Sequence, residues 1–422
     1  GNQDLMDNIE EMNRCILSGI TPSFTTIECA KDERRKLSKI YDTPATRTFT
    51  ILPCEVNILF RMYFGDYAAM IMSNRHKSFC QVGIDPNTAE WSDLMNSFLK
   101  ASNKGFAGDY AKFEGIGPAP IYHSIVNCVN DWYDDGPVNA RARHCLLSSI
   151  VHRKGLVGNW LLQYSQGMPS GFAMTVIFNS FVNYYFMGLA WINLIERSPL
   201  CHQSNLRDFD TYCRIVVYGD DNVVAVGEHF QPYYNLRTVA QFLGSHGITY
   251  TDDQKNPIHL SEPLVDITSV TFLKREFVKC DKSGMLWKAP LSKVSIEEQC
   301  NWIRQCEDPV AALNQNVYGA LFEACIHGKE YFDDFEGRLK EAYDRAMISY
   351  EGVSFMECKK RWWSNMTGAA LSQAKLSELA KLSTSNSINL RKSYLDVWLN
   401  ESKTLGDMLE EAKYAPLGVF EP

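Results

Sequence analysis

Between Gly155 and Ile195 the chain carries no charged residue. A stretch of that length without an ionised group points to burial, either in lipid or inside a large protein. Phe172 to Ile192 alone has the length of a membrane-spanning helix. Yet Asn159, Gln163, Gln166, Asn179, Ser180, Asn183 and Asn193 are spread through the stretch, and Gly167-Met168-Pro169-Ser170-Gly171 interrupts it with a turn. In hydrocarbon each of those polar groups would need a partner. A helix buried in a large soluble protein, its polar residues lining a site, fits better, and no intrinsic membrane span is expected.

The chain is 422 residues long, room for two or three domains or one multi-lobed enzyme. Its 45% hydrophobic and 22% charged residues exclude bulk disorder and fibrous architectures. The 13 cysteines are odd in number and form no CxxC pair, and the 9 histidines form no HExxH, which points to reduced thiols in a cytosolic compartment. A net charge of -8 argues against a general nucleic-acid coat but allows an enzyme with a locally basic channel. The chain starts at Gly1 without a signal segment. A fragment, a tagged form or a piece cut from a longer polyprotein is expected.

Arg214 to Tyr218 and Val223 to Val226 are β-branched runs flanking Gly219-Asp220-Asp221-Asn222. That pattern predicts a hairpin around a four-residue turn, with two adjacent carboxylates at its tip. Gly105-Phe106-Ala107-Gly108 predicts another strand, ending at Asp109, and Gly117-Pro118 breaks any helix nearby. From about residue 290 the pattern is helical. Ser295-Ile296-Glu297-Glu298 reads as a capping box, and Asp308-Pro309 as an N-cap followed by proline. Leu371, Ala374, Leu379 and Leu382 recur at helical spacing, and Ser383 to Ser387 reads as a polar linker, so residues beyond about 368 read as an appended helical tail.

Adjacent aspartates at a turn are often only solvated. Here Asp220 and Asp221 sit in an apolar hairpin, and Asp109 ends a separate strand. Carboxylates gathered from different strands suit hard divalent ions, and two such ions serve phosphoryl transfer. Thr175 and Asn179 are four apart and share a face if helical, and Gly167 and Gly171 let backbone approach a ligand. The plainer reading is a helix capped by Ser170 with Asn179 satisfied in the core. Lys31-Asp32-Glu33-Arg34-Arg35-Lys36, with Lys39 and Arg47, is either a solvated face or a phosphate-binding strip. Phe272-Leu273-Lys274-Arg275 reads as a strand with a basic end, able to grip a nucleic-acid backbone.

These segments, in this order, resemble the RNA-dependent RNA polymerases of positive-strand RNA viruses, in the picornavirus-like group. Asp109 to Glu114 resembles motif A, and Gly167 to Gly171 with Thr175 and Asn179-Ser180 resembles motif B. Tyr218-Gly219-Asp220-Asp221 is similar to motif C, Lys255 stands where motif D places its lysine, and Phe272 to Arg275 is similar to motif E. Lys31 through Arg47 looks like motif F. The resemblance covers roughly residues 25 to 305.

It implies an α+β right-hand polymerase (fingers, palm, thumb) with an antiparallel palm sheet flanked by helices. The expected boundaries are fingers with motif F over 1–99, palm over 100–285 with an inserted fingers segment at about 120–160, helical thumb over 286–367 and tail over 368–422. The resemblance further implies that Asp109 and Asp220 hold two Mg²⁺ ions, with Asp221 assisting and Mn²⁺ able to substitute. Lys255 would donate a proton to pyrophosphate, since an ammonium can act as an acid; the plainer alternative is a loop lysine paired with Asp252 and Asp253. Lys31, Lys39 and Arg47 would neutralise the triphosphate. Glu114, Ser170, Gly171, Thr175 and Asn179 would contact the nucleotide, and Lys274 and Arg275 the primer. Implied partners are RNA template and primer, NTPs, other viral replication proteins and a genome-linked peptide as protein primer. The implied location is host cytoplasm, at membrane-associated replication complexes reached through partners.

The chain departs from the pattern in places. Only about thirty residues precede motif F, so truncated or small fingers and weak unaided polymerase activity are expected. Glu114 stands where relatives more often have Asp, and Pro44-Ala45-Thr46 lacks a lysine many relatives carry. A reverse transcriptase shares the paired aspartates, but tends to have a bulky side chain near position 114 and lacks the Ser-Gly, Thr and Asn set. A membrane-anchored replication protein without catalysis would use the uncharged stretch as its span.

Overall fold

The computed structural model describes residues 2–33, 35, 37–42, 46–280 and 286–368. The tail expected beyond them lies outside the described residues. The helices are α1 (Gln3–Leu17), α2 (Ser38–Tyr41), α3 (Cys54–Ser73), α4 (Ala89–Ala101), α5 (Ala119–Tyr133), α6 (Pro137–Val151), α7 (Thr175–Glu196), α8 (Leu206–Tyr212), α9 (Leu236–Ser245), α10 (Lys293–Gln299), α11 (Pro309–Ile326), α12 (Lys329–Ala346) and α13 (Phe355–Gly368). The strands are β1 (Thr25–Ala30), β2 (Thr48–Ile51), β3 (Lys104–Tyr110), β4 (Lys154–Val157), β5 (Trp160–Gln163), β6 (Cys213–Tyr218), β7 (Asp221–Val226), β8 (Tyr250–Asp252), β9 (Val265–Asp266), β10 (Val278–Lys279) and β11 (Trp287–Lys288).

The chain divides into two compact units, Gly1–Gly83 with Ala101–Ile267, and Ile84–Lys100 with the chain from Thr268 onward. The division departs from the boundaries read from the sequence: 84–100 and 268–280 both join the C-terminal unit. The cause is packing. Within that unit Trp91 of α4 stacks on Phe277 at 4.4 Å, Ser92 Oγ accepts from Trp287 N at 2.9 Å, and Trp287 Nε1 donates to Asn96 at 3.2 Å.

In the first unit, an antiparallel sheet in the order β6-β7-β3-β8, with β9 also on β3, supports the candidate site. The β-branched runs make β6 and β7 almost wholly buried strands, and α7 and α9 pack against this sheet. The uncharged stretch supplies α7, whose Trp191 sits among Phe209, Phe230 and Tyr234. The helix starts at Thr175 after an N-cap at Met174 without a side-chain cap, so Ser170 does not cap it.

The hairpin turn is tighter than its sequence suggests. Tyr218 pairs with Asp221, leaving only Gly219 and Asp220 in the loop. Gly219 has φ +64°, the backbone that the first position of a two-residue hairpin loop demands. Asp221 and Asn222 therefore belong to β7 and point to opposite faces.

A second sheet runs β2-β1-β4-β5 and is inverted with respect to ordinary burial. Thr26, Thr50 and Glu28 face inward, where Thr50 Oγ1 donates to Glu28 at 2.8 Å and Arg153 pairs with Glu28 at 3.9 Å. Ile51, Ile27, Leu156 and Leu161 lie side by side in register across the four strands on the other face, all exposed.

In the second unit Asp308 caps α11 by accepting from Ala311 N at 2.9 Å, with Pro309 first in the helix, as expected. The cap of α10 lies three residues earlier than expected: Ser292 accepts from Ser295 N, and Ser295 sits inside the helix. Phe272 to Arg275 is a tight turn and not a strand. Phe272 bridges Arg275 across Leu273 and Lys274, both with left-handed backbone.

Candidate active site

Three neighbouring strand ends build the site. Asp109 is the penultimate residue of β3, and the preceding Gly108 pairs with Asn222 of β7 on one side and Asp252 of β8 on the other. Any side chain at 108 would collide with Tyr250, whose ring lies 2.1 Å from where a Cβ would be. The hairpin tip thus holds Asp220 beside the strand that carries Asp109.

Asp220 is exposed at the tip, yet the protein around it removes enough water to change its chemistry. Burial raises its carboxyl above the ordinary aspartate value, the negative charges of Asp109 and Glu114 raise it further, and Lys255 opposes them. Three carboxylates from two segments therefore act in one electrostatic field. Asp221 opens β7 one residue further on, half-buried.

Lys255 reaches this field through a specific loop. Burial would raise the Asp252 carboxyl, but hydrogen bonds from Asn256 N at 2.7 Å, Ser261 Oγ at 2.7 Å, Asn256 Nδ2 at 3.0 Å and Gln254 N at 3.1 Å outweigh it and hold the carboxyl below its ordinary value. That carboxylate folds the loop, with Lys255 in left-handed backbone at φ +63°. The ammonium lands 3.0 Å from Asp109 Oδ2, while 72% of the lysine side chain stays exposed. Pairing with Asp252 or Asp253, the plainer alternative, is not what the structure shows.

The Gly167–Gly171 loop docks on two other segments at once. Met168 N donates to Glu114 O at 2.8 Å, and Gly167 N to Gly117 O at 2.8 Å. On the other side Thr50 N donates to Ser170 O at 2.6 Å. Gly167 has φ +77°, and a Cβ there would stand 2.4 Å from Glu114 O; Gly171 has φ +105°, and a Cβ there would stand 2.8 Å from Thr50 O. Both glycines are required by close backbone approach. Gly167→Ala is expected to cost about 1–2 kcal/mol from its backbone conformation alone and to push Glu114 away. Thermal melting should fall; an unchanged melting temperature would show that the docking is dispensable.

Thr175 and Asn179 share a face of α7, but they are differently engaged. The Thr175 hydroxyl directs its proton to the loop, between Pro169 O at 2.7 Å and Phe172 O at 2.8 Å, which leaves its oxygen only as an acceptor. Asn179 is 5% exposed, and its side-chain oxygen is buried without a hydrogen-bond partner. An orphaned buried acceptor is costly unless something donates to it. Glu114 is exposed in the turn Phe113–Gly115.

In the basic strip, Lys31 N donates to Arg47 O at 2.9 Å, which ties the ends of β1 and β2 together. Arg47 is partly neutralised by Glu33 at 3.6 Å. Lys39 is exposed on α2. The Pro44-Ala45 departure lies outside the described residues. In the second unit Lys274 is exposed at its turn. Arg275, expected to hold primer, is bidentate to Glu323 at 2.8 and 2.7 Å and donates to Ala289 O at 2.8 Å, contacts that anchor its own turn.

A metal here would meet hard oxygen donors, and the Lys255 ammonium already marks the place of a cation on Asp109. Among the described residues no three His, Cys, Asp or Glu side chains form a ready-made cage. Magnesium needs none, since it is commonly held by one or two carboxylates together with water and substrate phosphates. The residues fit such an ion. The sequence alone assigns no role to Asn183, Tyr110, Asn222 and Tyr250, which form a buried hydrogen-bonded set under the hairpin. There Asn183 stands out only as one more amide in an uncharged helix.

The chain is 58% identical over 410 residues to the genome polyprotein of Rice tungro spherical virus (strain Vt6), covering 97% of this chain and 12% of that polyprotein. It is 33% identical over 366 residues to the RNA1 polyprotein of Satsuma dwarf virus, covering 86% of this chain and 17% of that polyprotein. It thus spans less than a fifth of either relative. The Sicinivirus 3Dpol RNA dependent RNA polymerase shares the fold at a TM-score of 0.68 and 22% identity, covering 84% of this chain and 70% of that one. The architecture is accordingly the right-hand polymerase fold, built from α-helices, an antiparallel sheet under the site and a mixed second sheet in which β1 and β4 run parallel. Neither a reverse transcriptase nor a membrane-anchored protein is favoured by these matches, and among the described residues no helix is long and apolar enough to cross a membrane. The strand-end carboxylates, the docked glycine loop and a family model matching residues 7–344 agree: the chain belongs to the viral RNA-dependent RNA polymerases, enzymes of nucleotidyl transfer.

Proposed function

We propose that in this RNA-directed RNA polymerase Asp109 and Asp220, assisted by Asp221, hold two divalent ions, Mg²⁺ by preference, during addition of NTPs to an RNA primer 3′-hydroxyl with release of pyrophosphate. The observation that carries this reading is the shared field of Asp109 at the end of β3, Glu114 in the turn that follows it and Asp220 at the neighbouring hairpin tip, with a lysine ammonium standing on Asp109. Bound ions would supply charge stabilisation for in-line phosphoryl transfer. The protein's own groups do the positioning. Lys31, Lys39 and Arg47 meet the triphosphate, Glu114 and Asn179 read the ribose, and the Ser170–Gly171 backbone holds the loop against β2. Lys255 leaves Asp109 and turns its exposed ammonium toward the leaving pyrophosphate as the acid. RNA template and primer are the macromolecular partners, with Lys274 at the primer.

The test is a pH profile. Asp220 has to be ionised to bind a cation, so protons compete with the ion for it, activity falls on the acid side, and charges neighbouring Asp220 move that limb. Glu114→Gln removes a like charge, lowers the Asp220 pKa and moves the acid limb to lower pH. Lys255→Gln removes the opposing charge and moves that limb to higher pH. Primer-extension rates across pH at fixed Mg²⁺ read both shifts. If neither variant moves the limb, Asp220 is not the group that limits activity in acid.

A further inference from the structure

Beneath the acidic turn lies a polar network that the proposed roles do not use. Asn183 of α7 is 0% exposed. Its amide nitrogen faces three successive carbonyls, Gly219 O at 3.0 Å, Asp220 O at 2.9 Å and, more weakly, Asp221 O at 3.4 Å. Its oxygen accepts from the Tyr110 hydroxyl at 3.3 Å and from Asn222 Nδ2 at 3.2 Å. Asn222 in turn accepts from the Tyr250 hydroxyl at 2.6 Å. All the acceptors surround the Asn183 nitrogen and all the donors its oxygen, so one orientation of the amide satisfies everything.

Strand alternation explains the arrangement. Tyr110, Asn222 and Tyr250 are the immediate neighbours of Asp109, Asp221 and Thr251, and successive side chains on a strand point to opposite faces. Thr251 itself donates to Asp109 O at 3.3 Å. Each strand bordering the site therefore sends the adjacent residue downward into one network on α7. Ser180, one turn earlier on α7, accepts from Gly219 N at 2.8 Å and closes the turn from its other end.

We propose that Asn183 is the positioning residue of the acidic site: by tying the hairpin turn, β3 and, through Asn222, β8 to α7, it fixes the placement of Asp220 relative to Asp109 and so sets the affinity of the pair for a divalent ion. This rests on the metal-binding reading of those two aspartates. A buried, fully satisfied network couples its members more strongly than isolated pairs do, and partners behind metal ligands commonly carry 10–100-fold in affinity or activity.

The experiment compares the wild-type 422-residue chain, bound to an RNA primer–template, with Asn183→Leu, Tyr250→Phe and Asp220→Asn. Mn(II) binding is read by electron paramagnetic resonance, alongside the Mg²⁺ midpoint for extension, KM for ATP and the melting temperature. Asn183→Leu keeps the side-chain size and deletes every hydrogen bond; Tyr250→Phe deletes one oxygen. The expected result is a loss of about 10–100-fold in Mn(II) affinity for Asn183→Leu and a smaller loss for Tyr250→Phe, with KM for ATP nearly unchanged. A role limited to folding would lower the melting temperature and leave Mn(II) affinity at the wild-type value. Wild-type Mn(II) affinity in folded Asn183→Leu, or in Tyr250→Phe should Asn183→Leu not fold, overturns the positioning role, while a loss in Asp220→Asn leaves the metal reading standing. Wild-type affinity in Asp220→Asn overturns that reading and this proposal with it.

Discussion

Asp220→Asn is expected to abolish RNA-templated nucleotide incorporation while leaving the protein folded and no less stable. The loss should be roughly 10³-fold or more in kcat, at or beyond the 10²–10³ seen when one donor to a developing charge is removed, because an entire charge disappears from the site. The fold survives because the hairpin turn is held through main-chain atoms. Asn183 and Ser180 bond the backbone of residues 219–221 and not the Asp220 carboxylate. Stability even gains in metal-free buffer. A carboxyl whose folded pKa is raised is penalised when ionised, so its contribution is present at low pH and lost as pH rises through the titration. At neutral pH the neutral amide escapes the repulsion from Asp109 and Glu114. Melting in EDTA should therefore rise slightly as extension vanishes. Asp109→Asn should lose activity similarly but gain less stability, since it also gives up the Lys255 pair, an exposed contact of about 0–1 kcal/mol. An Asp220→Asn protein that folds and extends primer at near wild-type rate would remove the two-metal assignment.

Much of this site is legible in the sequence wherever a local rule decides the structure. The β-branched runs around Gly219 give the hairpin, Gly105 to Asp109 gives the strand, and the interrupted uncharged stretch gives a buried helix with amides on its site face. What escapes local rules is decided by register and by distant partners. The loop at Gly219-Asp220 contains two residues and not four because Tyr218 pairs with Asp221, and only that pairing separates Asp221 from Asn222 by face. The period-two pattern of Thr25 to Ala30 would put Ile27 inside. A charge pair with Arg153, far along the chain, draws Glu28 and the threonines inward instead. Lys255 has two adjacent aspartates in sequence, yet pairs with Asp109 because Asp252 is fully engaged in folding the loop. Arg275 looks available in sequence because Glu323, its partner, lies on a helix whose docking no local pattern announces.

Asn179→Ala is expected to narrow the preference for NTP over dNTP by on the order of ten- to a hundredfold. A ribonucleotide polymerase has to detect a single hydroxyl, and a site built to hydrogen-bond that hydroxyl can reject the analogue lacking it by up to roughly 10⁴–10⁵. The Asn179 side-chain oxygen is suited to that detection, because it is buried, unpartnered and on the helix face shared with Thr175. A ribose hydroxyl donating to it would relieve a buried unsatisfied acceptor, worth about 1–3 kcal/mol, and each 1.4 kcal/mol is a factor of about ten. Glu114 is exposed but not loose at its backbone, because Met168 N and the close approach of Gly167 clamp its carbonyl. Its carboxylate can therefore accept from the ribose from a fixed origin, directly or across Ser170. Glu114→Asp keeps the acceptor and should be tolerated. Glu114→Ala should lose sugar discrimination more than it loses metal-dependent rate, because Asp109 and Asp220 remain. Measuring kcat/KM for ATP and dATP on one template separates these outcomes. If the ratio is unchanged in both Asn179→Ala and Glu114→Ala, neither residue senses the ribose, and the orphaned oxygen of Asn179 has to be satisfied by an ordered water in the core.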